Sequence, residues 1–276
     1  LLVKGYLDKM NKSEYFLLMT GGMATVAGSV LAAFIGFLGG DDPVQRIEVA
    51  KNLIVASVMA APGAVVISKI MFPQIDGVNK NVVVSSSVIG ENLLSSITNG
   101  TRDGIKMAVN VAAMILVFVA LIALLNGVLF QIAEIFNLNF WVQENTIYKS
   151  FSIELILGYL FAPIMWLIGV ASDDTALMGQ LLGIKMAANE FVAYIELASL
   201  KEVSNAISLN YEKSVIMATI MLCGFANFSS IGIQIGGIGI LAPGKTKLLT
   251  ELGFKAMIAG TLVSLLSATF VGMLLG

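Results

Sequence analysis

Long apolar stretches alternate with short polar joints along this chain. Runs free of Asp, Glu, Lys and Arg cover residues 15 to 40, 52 to 68, 107 to 133, 155 to 172, 214 to 244 and 256 to 276. About 20 apolar residues in a helix cross the roughly 30 Å of bilayer hydrocarbon, so the pattern predicts an all-α polytopic membrane protein. The run MAVNVAAMILVFVALIALLNGVLFQIA (107 to 133) predicts one ordinary spanning helix, long enough to tilt. Two other runs carry interruptions. GGMATVAGSV (21 to 30) and CGFANFSSIGIQIGG (223 to 237) put Gly, Ser, Thr and Asn where lipid demands unbroken helix. Glycines alone would serve close helix packing. Together with hydroxyls and an Asn they also fit broken helices, whose freed carbonyls and side-chain oxygens can hold a ligand at bilayer depth.

The two interrupted runs read as copies of one unit. Laying 21 to 30 on 223 to 232 pairs Gly22 with Gly224, Ala24 with Ala226, Thr25 with Asn227 and Gly28 with Ser230. A Pro-containing turn and a further spanning segment follow each (DDPVQ at 41 to 45, LAPGK at 241 to 245). Inverted repeats are a common plan of membrane carriers. Before the second copy lies SDDTALMGQLLGIKMAANEFVAYIELASL (172 to 200), too short for two crossings and long enough for two half-helices, so it predicts a re-entrant hairpin. Before the first copy lies only LLVKGYLDKM, read as the descending arm of an equivalent hairpin. The chain opens on Leu1 and reads as a fragment that follows an upstream half. Its organisation reads as 1–72 (hairpin end, first broken helix, following helix), 73–150 (scaffold helix with interfacial segments) and 151–276 (second hairpin, second broken helix, last helix).

Composition narrows the chemistry. The chain is 57% hydrophobic and 12% charged, with a mean hydropathy of +0.90, against about 45–50% and about 25% in soluble domains. A net charge of -2 offers no footprint for nucleic acid. There is no His, and the one Cys is Cys223. A His general base, a zinc site on His or Cys pairs and a disulfide framework are therefore excluded. Two acidic pairs, Asp41 with Asp42 and Asp173 with Asp174, offer an intramembrane enzyme its only carboxylate dyads, but both sit at segment edges, where solvated turn carboxylates are expected. A passive channel would need a continuous polar stripe along one helix, and no segment carries one.

Within the apolar runs a few polar residues remain. Glu190, flanked by AAN and FVAY, needs a partner at helix-centre depth unless it lies at a helix end and reaches water. Asn189 beside it suits a cap or turn at the hairpin tip. Asn227, Ser229 and Ser230, with Phe225 before them, supply fixed hydrogen-bonding groups and an aromatic wall for a neutral hydroxylated ligand; Phe225 equally suits the core or lipid. Thr25, Val26 and Ser29 surround the first break. Freed carbonyls and hydroxyls there suit a monovalent cation such as sodium, and the same hydroxyls equally suit bonds back to the preceding helical turn. Cys223 reads as a small buried hydrophobe.

The blocks GGMATVAGSVLAAF, IVASVMAAPGAVVISKIMFP, GIKMAANEFVAYIEL and CGFANFSSIGIQIGGIG together resemble the concentrative nucleoside transporters over essentially the whole chain. The resemblance implies a homotrimeric secondary transporter of the cell inner membrane. Re-entrant hairpins and unwound helices would form its mobile domain, and sodium, or protons in some bacterial members, would drive it. Carried over by motif, ribose contacts fall on Glu190, Asn227 and Ser230, with Phe225 nearby and Asn189 adjoining. Val30 and Ser29 fall toward the nucleobase. The sodium ligands fall on Thr25, Val26 and Ser29, partly through main-chain carbonyls. The family's Gly-Gln-Thr-Glu hairpin tip, with its contacts to base and ion, would precede Leu1.

Overall fold

A computed structural model describes residues 3–75, 77, 92–146, 148–202, 205 and 207–276. The described residues form helices and loops without strands, as the apolar pattern predicts. The described chain opens with a short helix, α1 (Lys4–Leu7), the only helical part of the predicted first arm among the described residues; Leu1 and Leu2 lie outside them. The first interrupted run folds as two half-helices, α2 (Lys12–Ala24) and α3 (Gly28–Gly39). Asn11 starts α2 with a reciprocal capping box to Glu14. Asp42 caps α4 (Pro43–Met71), and Pro43 at its first position needs no N–H there.

The scaffold helix differs from its predicted extent. It runs without interruption as α5 (Leu93–Ile135), because Asn92 caps Ser95 and the polar arm LLSSITNGTRDGIK continues the same helix beyond the apolar 107–133. At 43 residues it is about 65 Å long, twice the hydrocarbon thickness of about 30 Å. None of its most apolar window is buried within the chain, so that surface faces lipid or protein outside the described residues. The predicted interfacial part of 73–150 falls partly on residues outside those described. What is described there is α6 (Leu138–Asn145), with Phe140 and Trp141 exposed.

The third part begins with α7 (Ile153–Leu167) and α8 (Thr175–Ala187), which pack closely. Glycines make this possible: a Cβ on Gly179 would lie 2.5 Å from the Gly158 carbonyl oxygen, and one on Gly183 2.9 Å from that of Glu154. Next come α9 (Glu190–Lys201), the second interrupted run as α10 (Glu212–Leu222) and α11 (Phe228–Leu241), and finally α12 (Thr246–Leu274). At 13 and 12 residues, α8 and α9 reach only about 20 and 18 Å. Neither spans alone, as the re-entrant reading requires.

The predicted repeat shows in the packing. The long helix α4 lies on both halves of the first broken helix and α12 on both halves of the second, while α12 also packs on α2 and α4 on α10. Both long helices have 29 residues. Their seam is made of small side chains, with Ala60 and Ala64 of α4 and Ala24 of α2 around Val263 of α12. Gly260 touches both broken helices, since a Cβ there would lie 2.9 Å from Met23 Cβ and 3.3 Å from Ala226 Cβ. The two breaks are therefore held side by side.

Candidate functional site

Each interruption is a place where the chain leaves helical geometry. After Ala24, Thr25 turns extended (φ -98°, ψ 167°), as does Ala27 (φ -74°, ψ 140°), and α3 begins at Gly28. The second break is longer, from Cys223 to Asn227, and Asn227 is extended (φ -143°, ψ 170°) as the N-cap of α11. Between α8 and α9 the chain turns at Ala188 and Asn189. The Asn189 side chain accepts from the Val192 N–H at 3.0 Å, so it shapes the hairpin tip. Gly224 brings the breaks together: a Cβ there would meet the Ala24 carbonyl oxygen at 2.8 Å and that of Met23 at 3.0 Å.

At this junction a buried polar network forms. Asn227 Nδ2 donates to Glu190 Oε2 at 2.8 Å. Asn227 Oδ1 accepts from the Ser229 hydroxyl at 2.7 Å and from the Ser230 hydroxyl and N–H, both at 2.8 Å. Glu190 is 5% exposed, Asn227 2% and Ser230 3%, so these groups depend on one another. Glu190 opens α9 and Asn227 opens α11. Two half-helix N-termini thus converge, and their positive ends favour a carboxylate.

The remaining candidates separate. Phe225 and Val30 are half-buried and pack against the main core. Thr25 N–H and Oγ1 both donate to the Gly21 carbonyl, at 3.2 and 2.9 Å, the backward bond that its position in the run allowed. Ser29 is exposed at the start of α3, and Val26 is half-buried in the break. Cys223 is buried, with its thiol 3.9 Å from the Leu53 carbonyl oxygen.

One acidic pair departs from expectation. Asp41 and Asp42 are turn carboxylates, the first near Arg46 and the second capping α4. Asp174, however, is fully buried, because it accepts from Asn210 N–H and Nδ2 at 2.9 Å and from Tyr211 N–H at 3.3 Å. It anchors the loop before α10 and holds no solvated position.

Two side chains escaped the sequence reading. Lys185 Nζ, fully buried on α8, donates to the Met221 carbonyl at 2.8 Å, and the Tyr194 hydroxyl donates to that of Thr219 at 2.6 Å. The available signal was that Lys185 is the one charge between Asp174 and Glu190, which at bilayer depth demands a partner.

An all-helical membrane protein whose two interrupted helices and short hairpin share one buried polar junction has the architecture of a secondary carrier. Residues 52–272 match the family described as "Na+ dependent nucleoside transporter C-terminus", and the chain belongs to this family of concentrative nucleoside transporters. It is 40% identical to an uncharacterized transporter of Haemophilus influenzae, over 100% of this chain and 62% of that protein. With sodium/nucleoside cotransporter 1 of Rattus norvegicus it shares 37% identity, over 99% of this chain and 41% of the relative. The chain thus spans less than two thirds of either. A CNTnw variant solved in an outward-facing state matches with a TM-score of 0.83 at 34% identity, over 99% of this chain and 61% of that one. CNTnw in an inward-facing substrate-bound state matches less closely, with a TM-score of 0.72 at the same identity over 99% and 60%.

Proposed function

We propose that this protein takes up nucleosides by symport with sodium, through alternating access around a site at bilayer mid-depth. The observation that carries this reading is the Glu190–Asn227–Ser230 network at the junction of the hairpin and the second break. Ribose presents hydroxyls, which an ionised carboxylate accepts in bonds worth about 1.5–3 kcal/mol each. Asn227 and Ser230 supply the neighbouring donors and acceptors, while Phe225 and Val30 offer apolar surface to the base. Solved states of CNTnw on both sides of a transport cycle support alternating access.

Sodium is assigned to Thr25, Val26 and Ser29. The bond to Gly21 O uses the Thr25 hydroxyl proton and leaves the oxygen able to accept a cation. The assembly is a homotrimer in the cell inner membrane, for which the outer surface of α5 is available. The relatives named here are transporters, and none is named as an enzyme.

The test is linkage. Uridine binding to the full-length protein tightens in sodium relative to choline, and uridine tightens sodium binding by the same factor. Affinity that ignores sodium and follows pH would assign coupling to protons. Affinity for no nucleoside under either condition would remove the reading.

A further inference from the structure

Two cavities adjoin at the outer end of the hairpin, away from both breaks. The first, of about 390 Å³, lies between the loop after α6, the middle of α7 and the start of α8, and the carboxylates of Glu144 and Asp173 and the rings of Tyr148 and Tyr159 line it. The second, of about 300 Å³, is apolar and is walled by Trp141, Val142, Phe151 and Leu155. Thr146 and Tyr159 border both, so the two are compartments of one groove. Glu144 and Asp173 are exposed, which puts this end of the fold at the membrane surface. Trp141 and Tyr159, exposed beside them, hold the place of an interfacial aromatic belt.

The polar compartment contains a buried group with nothing to bond. Tyr148 is 9% exposed, and its hydroxyl, seated where a Cβ of Gly158 would stand, has no hydrogen-bond partner among the described residues. Gly158 lines the same compartment, so the hydroxyl lies at its wall. Behind it is Gln180, whose Cα is 3.2 Å from that Cβ position and whose buried Oε1 is also unpartnered among the described residues. Native folds seldom leave such atoms so unless a ligand or water comes to them.

Both charged groups of this compartment are negative, and among the described residues no Lys or Arg lines either compartment. The ligand that suits it is a cation. Its volume far exceeds that of a bare ion, and the Tyr148 and Tyr159 rings, with centroids 6.1 Å apart, offer π faces to an organic ammonium. An ammonium that keeps N–H bonds also donates to Tyr148 Oη and to carboxylate, which a quaternary one cannot do. The adjoining apolar compartment accepts hydrocarbon. We propose that this groove binds a phospholipid with a primary-amine headgroup, its ammonium in the acidic compartment with Tyr148 Oη as an acceptor, and an acyl chain against Trp141, Val142 and Leu155. The phosphate stays hydrated at the exposed mouth. The lipid joins the loop after α6 to the base of the re-entrant hairpin, at the opposite end of α8 from the Glu190 junction.

The experiment titrates the full-length protein in detergent with dioleoyl phosphatidylethanolamine, phosphatidylcholine or phosphatidylglycerol, counting bound lipid by native mass spectrometry and following thermal unfolding. Wild type binds the ethanolamine lipid about tenfold more tightly than either of the others, and its unfolding midpoint rises most with that lipid. Glu144→Gln combined with Asp173→Asn, both at exposed positions, abolishes the preference. Tyr148→Phe keeps the ring and deletes the acceptor, so it weakens the ethanolamine lipid about fivefold and leaves phosphatidylcholine unchanged. Free ethanolamine competes about a hundredfold more weakly than the lipid, because it leaves the apolar compartment unused. Equal affinity for the three lipids, or a preference that survives the Glu144→Gln and Asp173→Asn pair, overturns the proposal. Free ethanolamine as potent as the lipid overturns it in favour of a soluble amine. If Tyr148→Phe does not fold, the carboxylate pair decides. Lipid binding is read without uridine, so its failure leaves the nucleoside reading intact.

Discussion

Asn227 joins the carboxylate of one element to the hydroxyls and N-terminus of another, so its removal tests whether the junction acts as one unit. Asn227→Ala deletes the 2.8 Å bond to Glu190 Oε2 and the 2.8 Å cap on Ser230 N–H. A hydrogen bond to a charged group contributes about 1.5–3 kcal/mol and an N-cap about 1 kcal/mol. The Ser229 and Ser230 hydroxyls recover partners on nearby backbone, so they add little. The expected loss is about 2.5–4 kcal/mol, divided between folding and nucleoside binding. A double-mutant cycle with Glu190→Gln separates the parts, because Gln keeps an acceptor for Asn227 but removes the charge. With a coupled network, Asn227→Ala costs about 1–2 kcal/mol less on the Glu190→Gln background, a fivefold to thirtyfold smaller loss of uridine affinity. Titration calorimetry of the full-length protein in saturating sodium reads the affinity, and thermal unfolding reads the stability. Losses that add to within about 0.5 kcal/mol would refute the shared network.

Further outcomes follow from neighbouring contacts. Ser230→Ala weakens uridine by about fivefold, a lost neutral hydrogen bond of about 1 kcal/mol, and leaves uracil binding unchanged; equal weakening of both ligands would move Ser230 away from the sugar. Gly224→Ala sets a methyl against the Ala24 and Met23 carbonyls at 2.8 and 3.0 Å, so unfolding stability falls by about 1–3 kcal/mol. Unchanged thermal stability in that variant would mean the breaks are not in close contact. Asp174→Ala removes the acceptor of the Asn210 and Tyr211 N–H groups, whose residues are themselves exposed, and destabilises by about 1–2 kcal/mol. Uridine affinity of the folded fraction stays at the wild-type value, and a selective loss of affinity would bring that loop into the site.

Local chemistry explains which features were legible in the sequence. Both breaks fall within the runs marked by Gly with Thr, Asn and Ser, because helix weakness is a property of adjacent residues. Asn189 was readable as a tip residue for the same reason, since its cap reaches only Val192. The hairpin was readable from length alone. What remained hidden depends on partners distant in sequence. Lys185 finds its carbonyl 36 residues away, at Met221, and Asp174 becomes buried only because Asn210 returns to it. The extent of α5 was hidden for another reason: Gly100 and Gly104 stand in open space within a polar arm that nevertheless continues the helix, and propensity alone reads such a segment as a joint.

Accumulation of uridine against its gradient in proteoliposomes bearing the full-length protein tests the central claim most directly. An inward sodium gradient drives accumulation in wild type, its collapse with an ionophore abolishes it, and Glu190→Gln accumulates none while still reaching the membrane folded. Accumulation by Glu190→Gln at the wild-type level, or accumulation in wild type indifferent to the sodium gradient, would contradict the account.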